Sequence, residues 1–291
     1  VKMGRSIGVI CALLVTLSGG LCASEIKNIN VLTSFYPAYI MAINVCKDVP
    51  GVTVTNLTPS TGGCLHDYSI TTNDMKKLSD ADIFIACGAG MEPFIDKVAR
   101  RYPAMKIATL SDGIQLIAGK GEKPANGHLW VSITNAISQV RNLGRAMATF
   151  DPAHKNLYRV NTDAYTAKLD SLRSRMRSEL APFKGAKIVT FHEAFSYFTR
   201  EFDLEIAAVV EREPGSEPSA KELAETIDLI KKSGIKSLFS EPQYPAIAAN
   251  TIAKETGAVV YVLDPAVTGP DDPDAYLKIM ETNLSVLKRA L

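Results

Sequence analysis

Four histidines occur in the 291 residues: His66, His128, His154 and His192. Three of them sit where a chain pattern can present a ligand. His66 lies in Gly62-Gly63-Cys64-Leu65-His66-Asp67-Tyr68, between a predicted strand over 52–57 and a helix opening at Thr71-Thr72-Asn73-Asp74. His192 directly ends the strand-like run Lys187-Ile188-Val189-Thr190-Phe191, and His128 stands in Asn126-Gly127-His128-Leu129-Trp130 ahead of a helical pattern. Asp264 follows the run Val259-Val260-Tyr261-Val262-Leu263. Open α/β sheets bind ligands at the carboxyl ends of their strands. Three imidazoles and one carboxylate would make a four-coordinate metal site, with zinc held at about 2.0–2.1 Å by nitrogen. Such a set suits borderline metals, whereas an oxygen-rich set suits manganese. Spacing alone leaves open that these are packed or surface histidines, because the chain has no HExxH and no CxxC pair. His154 reads as a solvated surface residue.

The elements that must position these residues alternate strictly at first. Strands are predicted over 30–35, 52–57, 82–87 and 106–110, and helices over 37–45, 74–78 and 92–101. This is the pattern of βαβ units and a parallel sheet. After His128 the pattern turns helical over 135–147. Asp151-Pro152 then opens a second stretch, with Asp placed to cap it and Pro tolerated at the first position. From Ala153 to Leu180 there is neither glycine nor proline, which reads as one helix of roughly 40 Å. Tyr158, Tyr165, Leu169, Leu172 and Met176 mark its apolar face, and a single joining helix fits better than a coiled coil. Pro182 and Gly185 end it. Strands at 187–191, 205–210, 237–240 and 259–263 then alternate with helices at 194–201, 220–233, 245–256 and 273–291, the second of these capped by Ser219 with Glu222 three residues on.

The expected fold is therefore α/β, with two parallel-sheet lobes joined by one long rigid helix and a metal site in the cleft between them. The segments are a signal peptide at 1–24, an N-terminal lobe at 25–150, the linking helix at 151–182 and a C-terminal lobe at 183–291. Lys2, Arg5 and the apolar run 7–17, followed by small residues, have the pattern of a cleaved export signal. A soluble product outside the cytoplasm is expected, in the periplasm or its equivalent. Net charge is +1 and hydrophobic content 46%, which gives a globular core and no field favouring nucleic acid. Cys46, Cys64 and Cys87 remain after the signal; Cys46 with Cys64 is one disulfide pairing, and small buried thiols are the alternative.

The chain resembles the zinc/manganese-binding solute-binding proteins of ABC importers, the cluster A-I family, over the whole predicted mature sequence. The matching pieces include Thr33-Ser34-Phe35-Tyr36-Pro37, Gly63-Cys64-Leu65-His66-Asp67-Tyr68, Leu78-Ser79-Asp80-Ala81-Asp82 and Gly90-Met91-Glu92-Pro93-Phe94. They continue through His128-Leu129-Trp130-Val131-Ser132, Thr190-Phe191-His192-Glu193-Ala194-Phe195, Glu217-Pro218-Ser219, Glu241-Pro242-Gln243 and Leu263-Asp264-Pro265. The resemblance implies metal ligands at His66, His128, His192 and Asp264, with zinc favoured over manganese as the transported ion. It also implies a membrane permease as partner, a monomeric receptor and no enzymatic activity. Two departures stand out. Leu65 replaces the family's proline, with Cys64 beside it, which leaves a thiolate near the metal open. The long His- and Asp-rich loop of many zinc-specific members is absent, since Gly119 to Gly127 is short. Glu193 is read as orienting a ligand or as a surface carboxylate at a helix start, and Glu241 as holding buried backbone or a ligand. Arg212 with Glu211 and Glu213 is read as a solvated or lobe-bridging charge cluster. The rival readings are a secreted metal-dependent hydrolase, with Glu193 or Glu241 as base, and an adhesin sharing the fold.

Overall fold

The computed structural model describes residues 28–60, 63–65, 68–119, 125–210, 219–243 and 247–291. The predicted export signal, His66, the Arg212 cluster, the middle of the short loop before His128 and the first two residues of Glu217-Pro218-Ser219 lie outside the described residues.

The first half runs β1 (Ile29–Thr33), α1 (Tyr36–Val45), β2 (Val52–Asn56), α2 (Thr72–Ser79), β3 (Ile83–Ala86), α3 (Ile95–Arg101) and β4 (Lys106–Thr109). Two helices follow, α4 (Ile133–Phe150) and α5 (Lys155–Leu180). The second half runs β5 (Lys187–Thr190), α6 (Ser196–Glu201), β6 (Glu205–Val209), α7 (Ala220–Ser233), β7 (Ser237–Ser240), α8 (Ile247–Thr256), β8 (Val259–Val262) and α9 (Ala275–Ala290). The strands form two parallel four-stranded sheets, ordered β2-β1-β3-β4 and β6-β5-β7-β8. The continuous apolar run Ile83-Phe84-Ile85-Ala86 is buried throughout, as a strand covered on both faces requires. The edge strand β2, Val-Thr-Val-Thr-Asn, alternates between half-buried and exposed.

Both sheets share one topological feature. The chain leaves β1 to build β2 on one side, then crosses to build β3 on the other, and β5, β6 and β7 repeat the move. Crevices open at such switch points, beyond the carboxyl ends of the strands. The residues after β5 lie beside one such switch point.

The joining helix is present, with corrections to its reading. Residues Pro152–His154 form a 3-10 turn before α5 begins at Lys155. Asp151 makes no capping bond. Its carboxylate instead accepts the Tyr158 hydroxyl at 2.9 Å and pairs with His154 Nδ1 at 2.7 Å, because the buried Tyr158 hydroxyl needs an acceptor. His154 is thus tied to Asp151 rather than simply solvated. The buried face of α5 comprises Tyr158, Thr162, Tyr165, Thr166, Leu169, Leu172, Met176 and Leu180. From Tyr158 through Thr162, Tyr165, Leu169 and Leu172 to Met176 the buried positions step by four and three residues in turn, and the helix packs against α4. At the crossing, a Cβ on Gly144 would stand 2.1 Å from Thr162 Oγ1, so only glycine lets the helices approach this closely. Cys46, Cys64 and Cys87 form no disulfide. Cys46 is buried, which pushes its thiol up to about 12, with Asp151 adding to the shift. Ser219 caps α7 reciprocally with Glu222 as expected. No helix among the described residues is long and apolar enough to cross a membrane.

The loop after β2 is secured by α2. Thr71 and Asp74 form a capping box, and one Asp74 oxygen accepts the Thr71 N–H at 2.9 Å, the Thr71 hydroxyl at 2.7 Å and the Tyr68 hydroxyl at 2.7 Å. Burial alone would raise the Asp74 carboxyl. These three donors, with Lys77 nearby, hold it below the ordinary carboxylate range. A carboxyl depressed in the folded state contributes stability above its unfolded value and loses that contribution as pH falls through the depressed value. Asp74→Ala is therefore expected to cost about 2 kcal/mol at pH 7. Urea unfolding at descending pH should show the gap between wild type and variant closing below about pH 4.

Candidate metal centre

His192 follows β5 in extended conformation (φ −127°, ψ 156°) and opens a 3-10 turn at Glu193–Phe195. His128 opens the 3-10 turn Leu129–Val131 that leads into α4. Both are almost wholly buried, at 3% and 2% exposure for His128 and His192. Their Nε2 atoms lie 3.0 Å apart, with ring planes at 82°. Cys64 Sγ stands 3.6 Å from His128 Nε2 and 3.9 Å from His192 Nε2. Cys64 comes from the loop after β2, where Gly63 supplies a left-handed φ of +73°. Leu65, 1% exposed, plugs this loop into the core, and its carbonyl accepts the Tyr68 N–H at 3.0 Å.

The tautomer of His128 follows from its neighbours. Asn126 Nδ2 donates to the Glu193 carbonyl at 2.8 Å, which turns Asn126 Oδ1 toward His128. That oxygen accepts from the His128 backbone N–H at 2.9 Å and faces Nδ1 at 3.0 Å. Nδ1 therefore carries the proton and Nε2 presents its lone pair. Glu193 takes part through its carbonyl, so the bond that orients His128 crosses from one lobe to the other. Tyr197 extends the link: its hydroxyl donates to the Asn126 carbonyl at 2.8 Å and accepts the Ile117 N–H at 2.8 Å. Hydrogen-bonded partners of a ligating histidine fix its ring and commonly change metal affinity 10–100-fold. Asn126→Ala is expected to weaken metal binding within that range while leaving the circular dichroism spectrum unchanged; chelator competition reads the shift.

Two contacts hold the lobes around this point. Trp130, fully buried, sends Nε1–H to the Pro265 carbonyl at 2.7 Å and packs edge-on against Phe35. Its ring lies 5.4 Å from that of His128. Glu201, at the end of α6, receives the Ser132 hydroxyl at 2.6 Å and the Thr134 hydroxyl at 2.5 Å, and it accepts the Thr134 N–H. A second-lobe carboxylate thereby meets the positive end of α4.

Among the described residues, the donor atoms within 4.8 Å of one another that could hold an ion belong to Cys64, His128 and His192. Asp264 stands apart from that group. Its Oδ1 accepts the Ala266 N–H at 2.7 Å, its own N–H and carbonyl bond Asn283, and burial raises its carboxyl. Glu241 is buried at the end of β7, with Oε2 accepting Gln243 Nε2 at 2.6 Å. Asn126 and Glu201 were not singled out by sequence. The Asn-Gly step before His128 was the only local cue for the first, and none existed for the second.

Residues 31–290 match the family model described as zinc-uptake complex component A, periplasmic. The zinc-binding lipoprotein AdcA of Streptococcus pneumoniae strain R6 is 28% identical over 307 residues, covering 99% of this chain; the chain spans 60% of that relative's length. The high-affinity zinc uptake system protein ZnuA of Bacillus subtilis is 28% identical over 305 residues, covering 97% of this chain and 95% of ZnuA. Among solved structures, the solute-binding protein FpvC of Pseudomonas aeruginosa, in complex with Mn2+, superimposes with a TM-score of 0.82 at 30% identity. That match covers 91% of this chain and 98% of FpvC.

Proposed function

The chain belongs to the family of the periplasmic component A of zinc-uptake complexes, and on that premise we propose that it is an extracytoplasmic receptor for a divalent transition metal. Zinc is the favoured cargo and manganese the alternative. The receptor passes the ion to the membrane permease of an ABC importer, acting as a monomer and without catalysis.

One observation carries this reading. Two buried imidazole nitrogens, one from each lobe, stand 3.0 Å apart. Two nitrogens bonded to one tetrahedral zinc ion at about 2.0–2.1 Å lie about 3.3 Å apart. The pair is therefore spaced to share an ion after a shift of a few tenths of an ångström. Burial of both rings excludes competing water. Asn126 orients one of them ahead of binding, so little reorganisation accompanies capture. With α5 packed along α4 and with Trp130 and Glu201 bridging the halves, capture involves a small rearrangement rather than wide closure. The family pattern also assigns His66 and Asp264 as ligands; Asp264 lies outside the donor group formed among the described residues.

Calorimetric titration of metal-stripped protein with zinc and with manganese tests the reading. One equivalent of zinc binding tighter than micromolar is the expected result. Failure of both ions to reach that affinity would reject it.

A further inference from the structure

Resting on the receptor reading above, we infer that Cys64 is itself a ligand of the cargo ion, supplying a thiolate beside His128 and His192 and so selecting a thiophilic cation against manganese.

The geometry argues for direct coordination. A zinc ion in tetrahedral surroundings, with nitrogen at about 2.0–2.1 Å and thiolate sulfur at about 2.3 Å, sets nitrogen and sulfur about 3.6 Å apart. The two observed sulfur-to-nitrogen distances are 3.6 and 3.9 Å. With the 3.0 Å nitrogen pair, the three donor atoms outline one face of a coordination tetrahedron. Van der Waals packing of a side chain beside two imidazoles does not demand that all three contacts run between donor atoms, yet here they do. Asn126 Oδ1 engages His128 Nδ1, which leaves His128 Nε2 as the ring nitrogen on the side of Cys64 and His192.

The chain builds the position deliberately. Leu65 is buried and anchors the loop, and Gly63 turns it with a positive φ. Cys64, between them, is left half-buried with its sulfur toward the histidines. Cys46 and Cys87 are buried elsewhere in the core, and neither belongs to the donor group.

The consequence is a cargo class. Soft thiolate ligands favour zinc and similar thiophilic ions, whereas manganese prefers carboxylate, carbonyl and water. When the metal–sulfur bond forms, the thiol proton leaves to solvent. No redox change is required.

Cobalt(II) replaces zinc in tetrahedral sites and reports sulfur ligation as an intense near-ultraviolet charge-transfer band. Metal-stripped wild type loaded with cobalt should show this band, and Cys64→Ser should bind cobalt without it. The same substitution should reduce the preference for zinc over manganese, on the order of tenfold or more. Zinc should also protect Cys64 from alkylation in the wild type, a readout needing no variant if Cys64→Ser fails to fold. A wild type that binds zinc tightly, yet shows no band with cobalt and alkylates at Cys64 equally fast with and without zinc, would overturn the inference and leave the receptor reading standing. A wild type that binds neither zinc nor manganese would overturn both.

Discussion

Replacing either His128 or His192 with alanine is expected to weaken zinc binding by more than a hundredfold, which is about 3 kcal/mol of binding free energy. The magnitude follows from their place in the site. Removal of a group that only orients a ligand costs 10–100-fold, and these rings would hold the ion themselves. They come from opposite lobes, and their Nε2 atoms lie 3.0 Å apart, so neither can substitute for the other. Acid should oppose binding, since ligating imidazoles must give up their protons. Thermal denaturation offers an independent reading. Zinc at a hundred times its dissociation constant stabilises the fold by about 2.7 kcal/mol, or roughly 5–10 °C for a chain of this size. In either variant the same zinc concentration should raise the midpoint little.

Trp130→Ala should be the most destabilising single substitution near the site, at about 4 kcal/mol or more. The side chain is fully buried. Its loss would empty the space against Phe35, whose ring meets it at 5.1 Å and 84°. It would also strip the Pro265 carbonyl of the indole N–H at 2.7 Å, and a buried carbonyl left unsatisfied costs about 1–3 kcal/mol. The Trp130 carbonyl accepts the Tyr276 hydroxyl at 2.7 Å, so the cavity would open where α9 and the loop after β8 meet the first lobe. Since whole domains are stable by about 5–15 kcal/mol, much of the margin would go. Trp130→Phe keeps most of the ring volume and loses the hydrogen bond, and about 1–2 kcal/mol is expected for it. Urea unfolding of the two variants separates packing from hydrogen bonding; a cost under 1 kcal/mol for the alanine would contradict the assigned role.

Periodicity made the two parallel sheets and the long helix legible, because local pattern reports burial. The apolar positions Tyr158, Tyr165, Leu169, Leu172 and Met176 are all buried in α5. Strand-end placement points to His192 and Asp264, and the loop before a helical pattern to His128. The remaining features depend on partners far away in sequence. Asp151 looked like a cap because Asp-Pro commonly opens helices, yet the buried Tyr158 hydroxyl claimed its carboxylate. Glu201 holds the start of α4 across 67 residues, and no local rule anticipates that. In the sequence Cys64 stands as one candidate disulfide partner of Cys46 and as a thiol beside a family ligand position. Its distance to two histidines, 64 and 128 residues downstream, is set by how the lobes meet. Asp264 is singled out by its place after a strand and by the family motif, and what surrounds it is a turn built with Ala266 and Asn283.

X-ray absorption at the zinc edge, on protein loaded with one equivalent of zinc, tests the central claim most directly. The expected spectrum contains imidazole nitrogen at about 2.0–2.1 Å, and its multiple-scattering signature should weaken in His128→Ala and again in His128→Ala/His192→Ala. A spectrum with no imidazole scattering, or one unchanged in both variants, would place the ion elsewhere and contradict the account.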